Sequence, residues 1–351
     1  TLISGCKDGS AYVWNLSGER SAATSGTFAK GRGGWGFADG GDSLMTVGLD
    51  GKVARRTGRM FQEKSLLLEH GPIVASTAAT GGFPILHPKR RLLAVTTESG
   101  KLQVWDWERR VLVREWAENA EAGRPIPRLF SDDGTKLAVT LSGQRAGGPL
   151  SYREWEIDTG RETRSHDFQI PPSTGPRLLQ ISSAGTQIAL IASADGDESL
   201  RLDLQTGRSA SFPFNVQLSS TRAIYLDGKF LVLPSSRGYV RIFDATTYQE
   251  VTTLSGCLFG AHSAAFSPDL QRLAIGSTGS EALTLWDIHS HERLLTLEAK
   301  AGGMTPTAFS PDGNVIAMES NSGATAGTLY FWRAPSWAEI EKAEAAEERG
   351  K

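Results

Sequence analysis

The sequence predicts an all-β protein built from repeated, four-stranded antiparallel units, and three observations support this prediction. A turn pattern recurs at nearly regular spacing. Short runs of alternating apolar and polar residues follow each turn, and glycine is abundant, at 39 of 351 residues. Alternation with a period of two is typical of strands, and tight turns need residues that accept a positive φ. A repeat on this scale indicates one supersecondary unit that is stacked many times.

The first recurring pattern is an apolar residue, a turn of the Ser-Pro-Asp-Gly kind and then a short apolar strand. Its clearest copy runs from Phe309 to Gly313, and successive copies start 42 to 51 residues apart. The apolar residues that open the seven copies are Phe37, Leu86, Phe130, Ile181, Ile224, Phe266 and Phe309.

The second pattern is an alternating strand that ends on a large residue, usually followed by an acid. Another turn, such as Asp50-Gly51, separates the two patterns. Four short antiparallel strands in a unit of this length are the sequence signature of a β-propeller blade. The copies are Trp105-Asp106, Trp155-Glu156, Leu202-Asp203, Phe243-Asp244, Trp286-Asp287 and Trp332-Arg333, with Arg55-Arg56-Thr57 as a degenerate copy and Trp14-Asn15 as an eighth.

The number of units predicts seven blades between about Gly26 and Arg333, because the eighth copy lacks an innermost strand. A blade without that strand would leave backbone groups unpaired. We expect Ser21–Phe28 to close the ring by pairing beside Thr328–Trp332. The propeller then covers 21–335, and residues 1–20 are the remnant of a preceding blade. An eight-bladed ring with an incomplete first blade is the alternative.

The last residues differ in kind from the repeats. Ser336 and Glu339 have the spacing of a capping box, and Ile340–Glu348 is rich in Ala, Glu and Lys, which favour helix. The sequence therefore predicts a short C-terminal helical tail over 336–351.

The ordered turn signals and aromatic–acid pairs resemble the WD-repeat propeller family over nearly the whole chain. That family often joins a His, a Ser or Thr, a turn Asp and the Trp in a hydrogen-bonded tetrad. Here only His70 and His262 occupy the His position, in units that lack the turn Asp, so rigidity must come mainly from packing between blades. The tail is similar to the C-terminal edge of propellers in large bacterial multidomain proteins, which often follow a serine/threonine kinase domain. No kinase motif lies in this chain.

Composition argues against several classes of protein. Lys and Arg number 37 against 39 Asp and Glu, a formal net charge of −2, whereas a nucleic-acid binder needs a concentrated basic surface. The longest apolar run, Ile188–Ala192, is far shorter than a membrane span. Two cysteines cannot build a disulfide framework or a zinc cage. We expect a soluble module that does not insert into a membrane.

Four local patterns suggest chemistry, and a structural interpretation is favoured for each. Gly31–Gly36 has dinucleotide-loop spacing but precedes a strand, not a helix. His289–Glu292 lacks the second His that a zinc helix requires, and Asp195–Glu198 lacks the distal ligands of a calcium loop. Lys89–Arg91 is expected to be a solvated rim. We therefore expect no catalytic residue, no metal and no cofactor.

A partner-binding mouth is predicted from one equivalent position, two residues before the apolar anchor of each innermost strand. Trp35, Arg128 and Arg222 stand out there because Trp and Arg are enriched among the energetic anchors of interfaces. Packing between blades, or pairing with local acids, is the alternative role for these three side chains. The full set is Trp35, Pro84, Arg128, Leu179, Arg222, Ala264 and Thr307.

The resemblance implies a non-catalytic propeller that binds a protein or peptide partner on its face and belongs to a larger bacterial signalling protein. The alternative is a propeller enzyme, a hydrolase or redox enzyme with its site at the channel mouth, since fold alone does not decide activity.

Overall fold

The computed structural model of the chain describes residues 2–5, 11–14, 23–27, 34–58, 60–69, 84–87, 89–117, 123–142, 150–169, 178–181, 187–191, 199–212, 225–227, 229–235, 237–257, 260–278, 283–299, 302–322 and 327–334. The predicted C-terminal helix over 336–351 lies outside these residues. None of the described segments forms a helix with the length and apolarity that crossing a bilayer requires.

The first three strands are β1 (Leu2–Gly5), β2 (Ala11–Trp14) and β3 (Ala23–Thr27). β1 and β2 pair as a two-stranded antiparallel sheet. The remaining strands follow in groups of four. Sheet 1 has β4 (Gly34–Ala38), β5 (Ser43–Val47), β6 (Lys52–Thr57) and β7 (Glu63–Glu69), with a 3₁₀ turn at Asp39–Gly41; sheet 2 has β8 (Ile85–Leu86), β9 (Leu92–Thr96), β10 (Leu102–Asp106) and β11 (Val111–Trp116); sheet 3 has β12 (Arg124–Phe130), β13 (Lys136–Ser142), β14 (Leu150–Glu156) and β15 (Glu162–Phe168).

Sheets 4 to 7 continue the same order. Within each of sheets 1 to 6 the strands lie side by side in chain order and run antiparallel, which confirms the predicted all-β fold and its four-stranded units. Sheet 4 has β16 (Leu178–Ile181), β17 (Gln187–Ile191), β18 (Ser199–Asp203) and β19 (Ser209–Ser211); sheet 5 has β20 (Tyr225–Asp227), β21 (Phe230–Pro234), β22 (Tyr239–Asp244) and β23 (Glu250–Ser255); sheet 6 has β24 (Ser263–Phe266), β25 (Arg272–Gly276), β26 (Leu283–Asp287) and β27 (Arg293–Leu297); sheet 7 has β28 (Gly302–Phe309), β29 (Val315–Ser322), β30 (Thr328–Arg333) and β3.

Sheet 7 draws its outer strand from the other end of the chain. β3 pairs antiparallel with β30, with Ala23 opposite Phe331 and Thr24 opposite Tyr330. This agrees with the predicted pairing of Ser21–Phe28 beside Thr328–Trp332.

The second strands of sheets 1 and 5 are covered on both faces. Every residue of β5 and of β21 is buried, whereas β7 and β11 are largely exposed. A strand that is buried on both faces needs a continuous apolar run instead of alternation.

Hydrophobic clusters join each sheet to the next. Sheets 1 and 2, 2 and 3, 3 and 4, 5 and 6, and 6 and 7 each share a buried cluster. Sheets 4 and 5 are joined by Arg201, which donates to the Tyr248 hydroxyl over 2.7 Å, and by Phe212, whose ring meets Tyr248 edge-on. Sheet 7 packs in turn on sheet 1, where Leu329 and Phe331 share a cluster with Leu44 and Phe61.

Candidate functional site

The first and third turns of a sheet, which follow its first and third strands, lie together at one end. In sheet 2 the Trp107 N–H donates to the Arg91 carbonyl over 2.9 Å, and in sheet 3 the Ile157 N–H donates to the Thr135 carbonyl over 2.8 Å. In sheet 6 the equivalent bond runs from the Ile288 N–H to the Gln271 carbonyl. These bonds fix the two turns relative to each other.

The acid of the aromatic–acid pair organises the third turn. Asp106 Oδ1 accepts hydrogen bonds from the N–H groups of Glu108 and Arg109 over 3.1 and 2.8 Å. Asp203, Asp244 and Asp287 make the same pair of bonds. The hydrogen bond from the Thr206 N–H is the largest cause that lowers the pKa of Asp203. The hydrogen bond from the Thr247 N–H does the same for the pKa of Asp244. The motif's acid is thus explained by local turn chemistry.

The Ser and Asp of the first turn also form hydrogen bonds within their turn. Ser131 Oγ donates to Asp133 Oδ1 over 2.6 Å, and Asp133 Oδ1 also accepts from the Thr135 N–H over 3.0 Å. In sheet 2, His87 replaces the Ser. Its Nδ1 accepts from the N–H groups of Lys89 and Arg90, so its Nε2 carries the proton and donates to the Ser131 carbonyl of sheet 3 over 3.0 Å.

Acid should weaken the first turn of sheet 3. Hydrogen bonds from the Ser131 hydroxyl and from Thr135 lower the pKa of Asp133 to about 2. Because this pKa lies below that of the unfolded chain, its stabilising contribution is present above about pH 4 and is lost as the pH falls towards 2. Asp133→Asn should be less stable than wild type at neutral pH, and the difference should vanish near pH 2, as measured by urea unfolding. Asp132→Asn is the control, since the Asp132 side chain makes no hydrogen bond with the described residues. A difference that persists unchanged at low pH would contradict the prediction.

Side chains also bind the third turn of the following sheet. Arg114 Nε donates to the Ile157 carbonyl over 2.8 Å, and His166 Nε2 lies 2.9 Å from the Leu204 carbonyl. Thr252 Oγ1 lies 3.3 Å from Nδ1 of His291. Sequence reasoning missed these contacts, because different residue types make them in different sheets.

Trp35 lies on β4, where the indole packs at the seam between sheets 7 and 1. Its ring meets Phe37 edge-on at 6.3 Å, and the side chain joins the cluster that contains Phe331. Trp35 is half-buried, and its buried Nε1 has no hydrogen-bond partner among the described residues. These contacts match the alternative role of packing between sheets, and a partner-binding role stays a prediction.

Arg128 lies on β12 at a register shift between Pro127 and Leu129. Its Nε donates to Thr140 Oγ1 over 2.7 Å, and burial lowers the pKa of its guanidinium to about 10. The side chain is held on its own sheet and is partly exposed. Arg222 falls outside the described residues, so its predicted place beside Trp35 and Arg128 stays a prediction.

Two polar contacts between neighbouring sheets were not predicted. Ser263 Oγ and Thr307 Oγ1, on β24 and β28, lie 2.5 Å apart and are both buried. Thr96 Oγ1 donates to the Pro125 carbonyl over 2.6 Å and joins sheets 2 and 3. Thr307 thus uses the equivalent position to tie neighbouring sheets together.

A hydrogen bond between a tryptophan and a threonine two residues earlier is present in sheet 6. Trp286 Nε1 donates to Thr284 Oγ1 over 2.9 Å. In sheet 2, Trp105 Nε1 donates to Gln103 Oε1 over 3.0 Å instead.

The patterns that suggested metals or nucleotides have structural roles where they are described. The His289 N–H caps Asp287, and His291 contacts Thr252, while Gly34–Gly36 belongs to β4. Asp195–Glu198 and His70 fall outside the described residues. In the part of the chain that the structure describes, no three His, Cys, Asp or Glu side chains gather as metal ligands would. Comparison of the chain with models of protein families and with curated proteins found no match.

Proposed function

We propose that the seven sheets form a closed seven-bladed β-propeller of the WD-repeat kind over 21–335, and that it serves as a rigid, non-catalytic platform for a protein partner. In this proposal residues 1–20 are the remnant of a preceding blade. The observation that carries the proposal is the cyclic order of contacts: each sheet packs on the next, sheet 7 packs on sheet 1, and β3 completes sheet 7.

The clamped turns support the role of a platform. Turn carboxylates hold the third turns, and side chains from the preceding sheet bind several of them. A surface whose loops already hold fixed positions needs little ordering when a partner binds, and this lowers the entropic cost of association. The wider context, a module of a large bacterial signalling protein, rests on sequence resemblance.

The proposed partner surface is the mouth with Trp35, Arg128 and Arg222. Alanine substitution of all three should weaken binding of a partner by about tenfold or more, because Trp and Arg anchors each often contribute over 1 kcal/mol. The partner is first obtained by affinity capture and crosslinking, and its affinity is then measured by calorimetry with purified proteins.

Two controls keep the measurement decisive. Since Trp35 packs between sheets, the Arg128→Ala/Arg222→Ala pair is measured beside the triple variant, and thermal unfolding reports whether each is folded. Arg161→Ala/Arg208→Ala changes two exposed cations in third turns away from the mouth. Unchanged affinity in the folded triple variant would dismiss the mouth.

A further inference from the structure

An exposed group of cations lies at the end of sheet 2 that carries its first and third turns. We call Lys89, Arg90, Arg109 and Arg110 the basic corner; all four are exposed. The hydrogen bond between the Trp107 N–H and the Arg91 carbonyl joins the two turns that hold them.

Nearby acids leave part of this charge unbalanced: Arg90 lies against the first turn of sheet 3 and helps to lower the pKa of Asp133, whereas Lys89 and Arg110 form no ion pair with the described residues. Arg91, which lies between the two turns, forms an ion pair with Glu108 and also lies 3.5 Å from Asp39. Asp106 uses Oδ1 for the turn clamp, and its Oδ2 lies 3.8 Å from Arg109, whose side chain is 80% exposed. A loose, exposed ion pair of this kind contributes little.

Arg110 occupies a backbone conformation that suits glycine. Its φ is +60°, and the equivalent residues of sheets 3 and 4 are Gly160 and Gly207. In sheets 5 and 6 the equivalent Tyr248 and His291 also have positive φ, but their side chains contact the preceding sheet. The Arg110 side chain makes no hydrogen bond or ion pair with the described residues. A large side chain thus occupies a backbone conformation that favours glycine, without a hydrogen bond or ion pair to the described residues.

Apolar surface adjoins the basic corner. Val111 and Leu112 begin β11 and are 49% and 42% exposed. β11 is an edge strand of sheet 2, and no other described strand pairs with the outer edge of its backbone. An extended peptide can add to such an edge, where alternate side chains supply specificity.

Sheets 3 and 6 lack this combination at the same end. Sheet 3 carries Asp132, Asp133 and Asp158 in its two turns, and sheet 6 carries Asp269 and Glu292. The basic corner thus distinguishes sheet 2 from these two sheets.

We propose that the basic corner and the start of β11 form a docking site for an acidic, extended segment of a protein partner. It shares no residue with the proposed mouth and does not depend on it. The positive charge of the basic corner favours acidic side chains in the partner. Val111, Leu112 and the unpaired edge of β11 favour an extended polypeptide over a polyanion without a peptide backbone.

The experiment uses the full chain and a short fluorescent peptide of alternating glutamate and valine as the probe. Fluorescence anisotropy should show binding at low salt that weakens several-fold at about 0.5 M NaCl. Arg109→Glu/Arg110→Glu should reduce the affinity by about tenfold, because attraction is replaced by repulsion at two positions. Arg110→Gly should also weaken binding while leaving the unfolding temperature equal or higher, since glycine suits a positive φ.

The matched control is Arg161→Glu/Arg208→Glu. Arg161 is 72% exposed and lies 3.7 Å from Glu156, much as Arg109 lies near Asp106. This control should retain wild-type affinity. Three results would each overturn the proposal: no binding of the acidic peptide, equal losses in the control, or equal binding of a lysine–valine peptide. Tighter binding of phosphatidylserine vesicles or single-stranded DNA through the same arginines would also reject a protein segment as the ligand.

Discussion

Deletion of residues 1–27 is expected to lower the free energy of unfolding by about 4 kcal/mol relative to deletion of residues 1–20. The longer deletion removes β3 and leaves β30 as the outer strand of sheet 7. Tyr330, Phe331 and Trp332, which are buried beside it, would then gain solvent exposure. Partial exposure of three aromatic side chains, each worth about 1.5 to 3 kcal/mol when fully buried, accounts for this magnitude.

The shorter deletion is the matched control. It removes β1 and β2, which pair only with each other among the described strands. Urea unfolding followed by tryptophan fluorescence gives both free energies, and light scattering reports whether the bare edge of β30 associates with other chains. Equal stability of the two truncated proteins would contradict the closed ring, whereas rescue of the longer deletion by a synthetic peptide of residues 21–28 would support it.

The repeated motifs could be predicted because their chemistry is local. An aspartate after the large residue binds backbone N–H groups two and three positions ahead, as Asp106 and Asp287 do, whereas Glu156 accepts a hydrogen bond from the Thr159 hydroxyl. Because this contact joins residues that are close in the sequence, the same residue types recur wherever the turn recurs. The pairing of β3 with β30 followed from counting units, since the last unit lacked a fourth strand.

Features that depend on two sheets could not be predicted in the same way. Trp35 was singled out as a possible anchor, but its surroundings are set by Phe61 and Phe331, which come from different sheets. Arg110, Tyr248 and His291 share one backbone conformation, yet among the described residues only Tyr248 and His291 make polar side-chain contacts with a neighbouring sheet. Such differences arise from packing between units, which no repeat pattern records.

A register shift between the third and fourth strands was not predicted, because it interrupts the alternation of apolar and polar residues. Four sheets have a register shift at the large residue of the second pattern, as at Trp105, Trp155, Phe243 and Trp286. The outermost strand carries one extra residue there, such as Val113 or Val251. A bulge increases the local twist of a strand. The break in alternation is thus a regular part of these four sheets.

Phe331→Ala is expected to destabilise the protein by about 3 to 5 kcal/mol, the usual range for a fully buried phenylalanine. Phe331 has no solvent exposure, and its ring lies 5.0 Å from that of Phe61 at the seam between sheets 7 and 1. The truncation leaves a cavity between the sheets that come from the two ends of the chain. Phe331→Leu, which keeps most of the apolar volume, should cost less than half as much by urea unfolding.

The seam and the outer strand should be energetically coupled, because Ala23 of β3 lies opposite Phe331. Phe331→Ala introduced into the protein that lacks residues 1–27 should therefore cost at least about 1 kcal/mol less than it does in the protein that lacks residues 1–20. In the shorter chain the Phe331 side chain is already partly exposed, so less burial remains to be lost. Strict additivity of the two changes would mean that β3 does not cover this seam, and the ring would then have to close by some other contact.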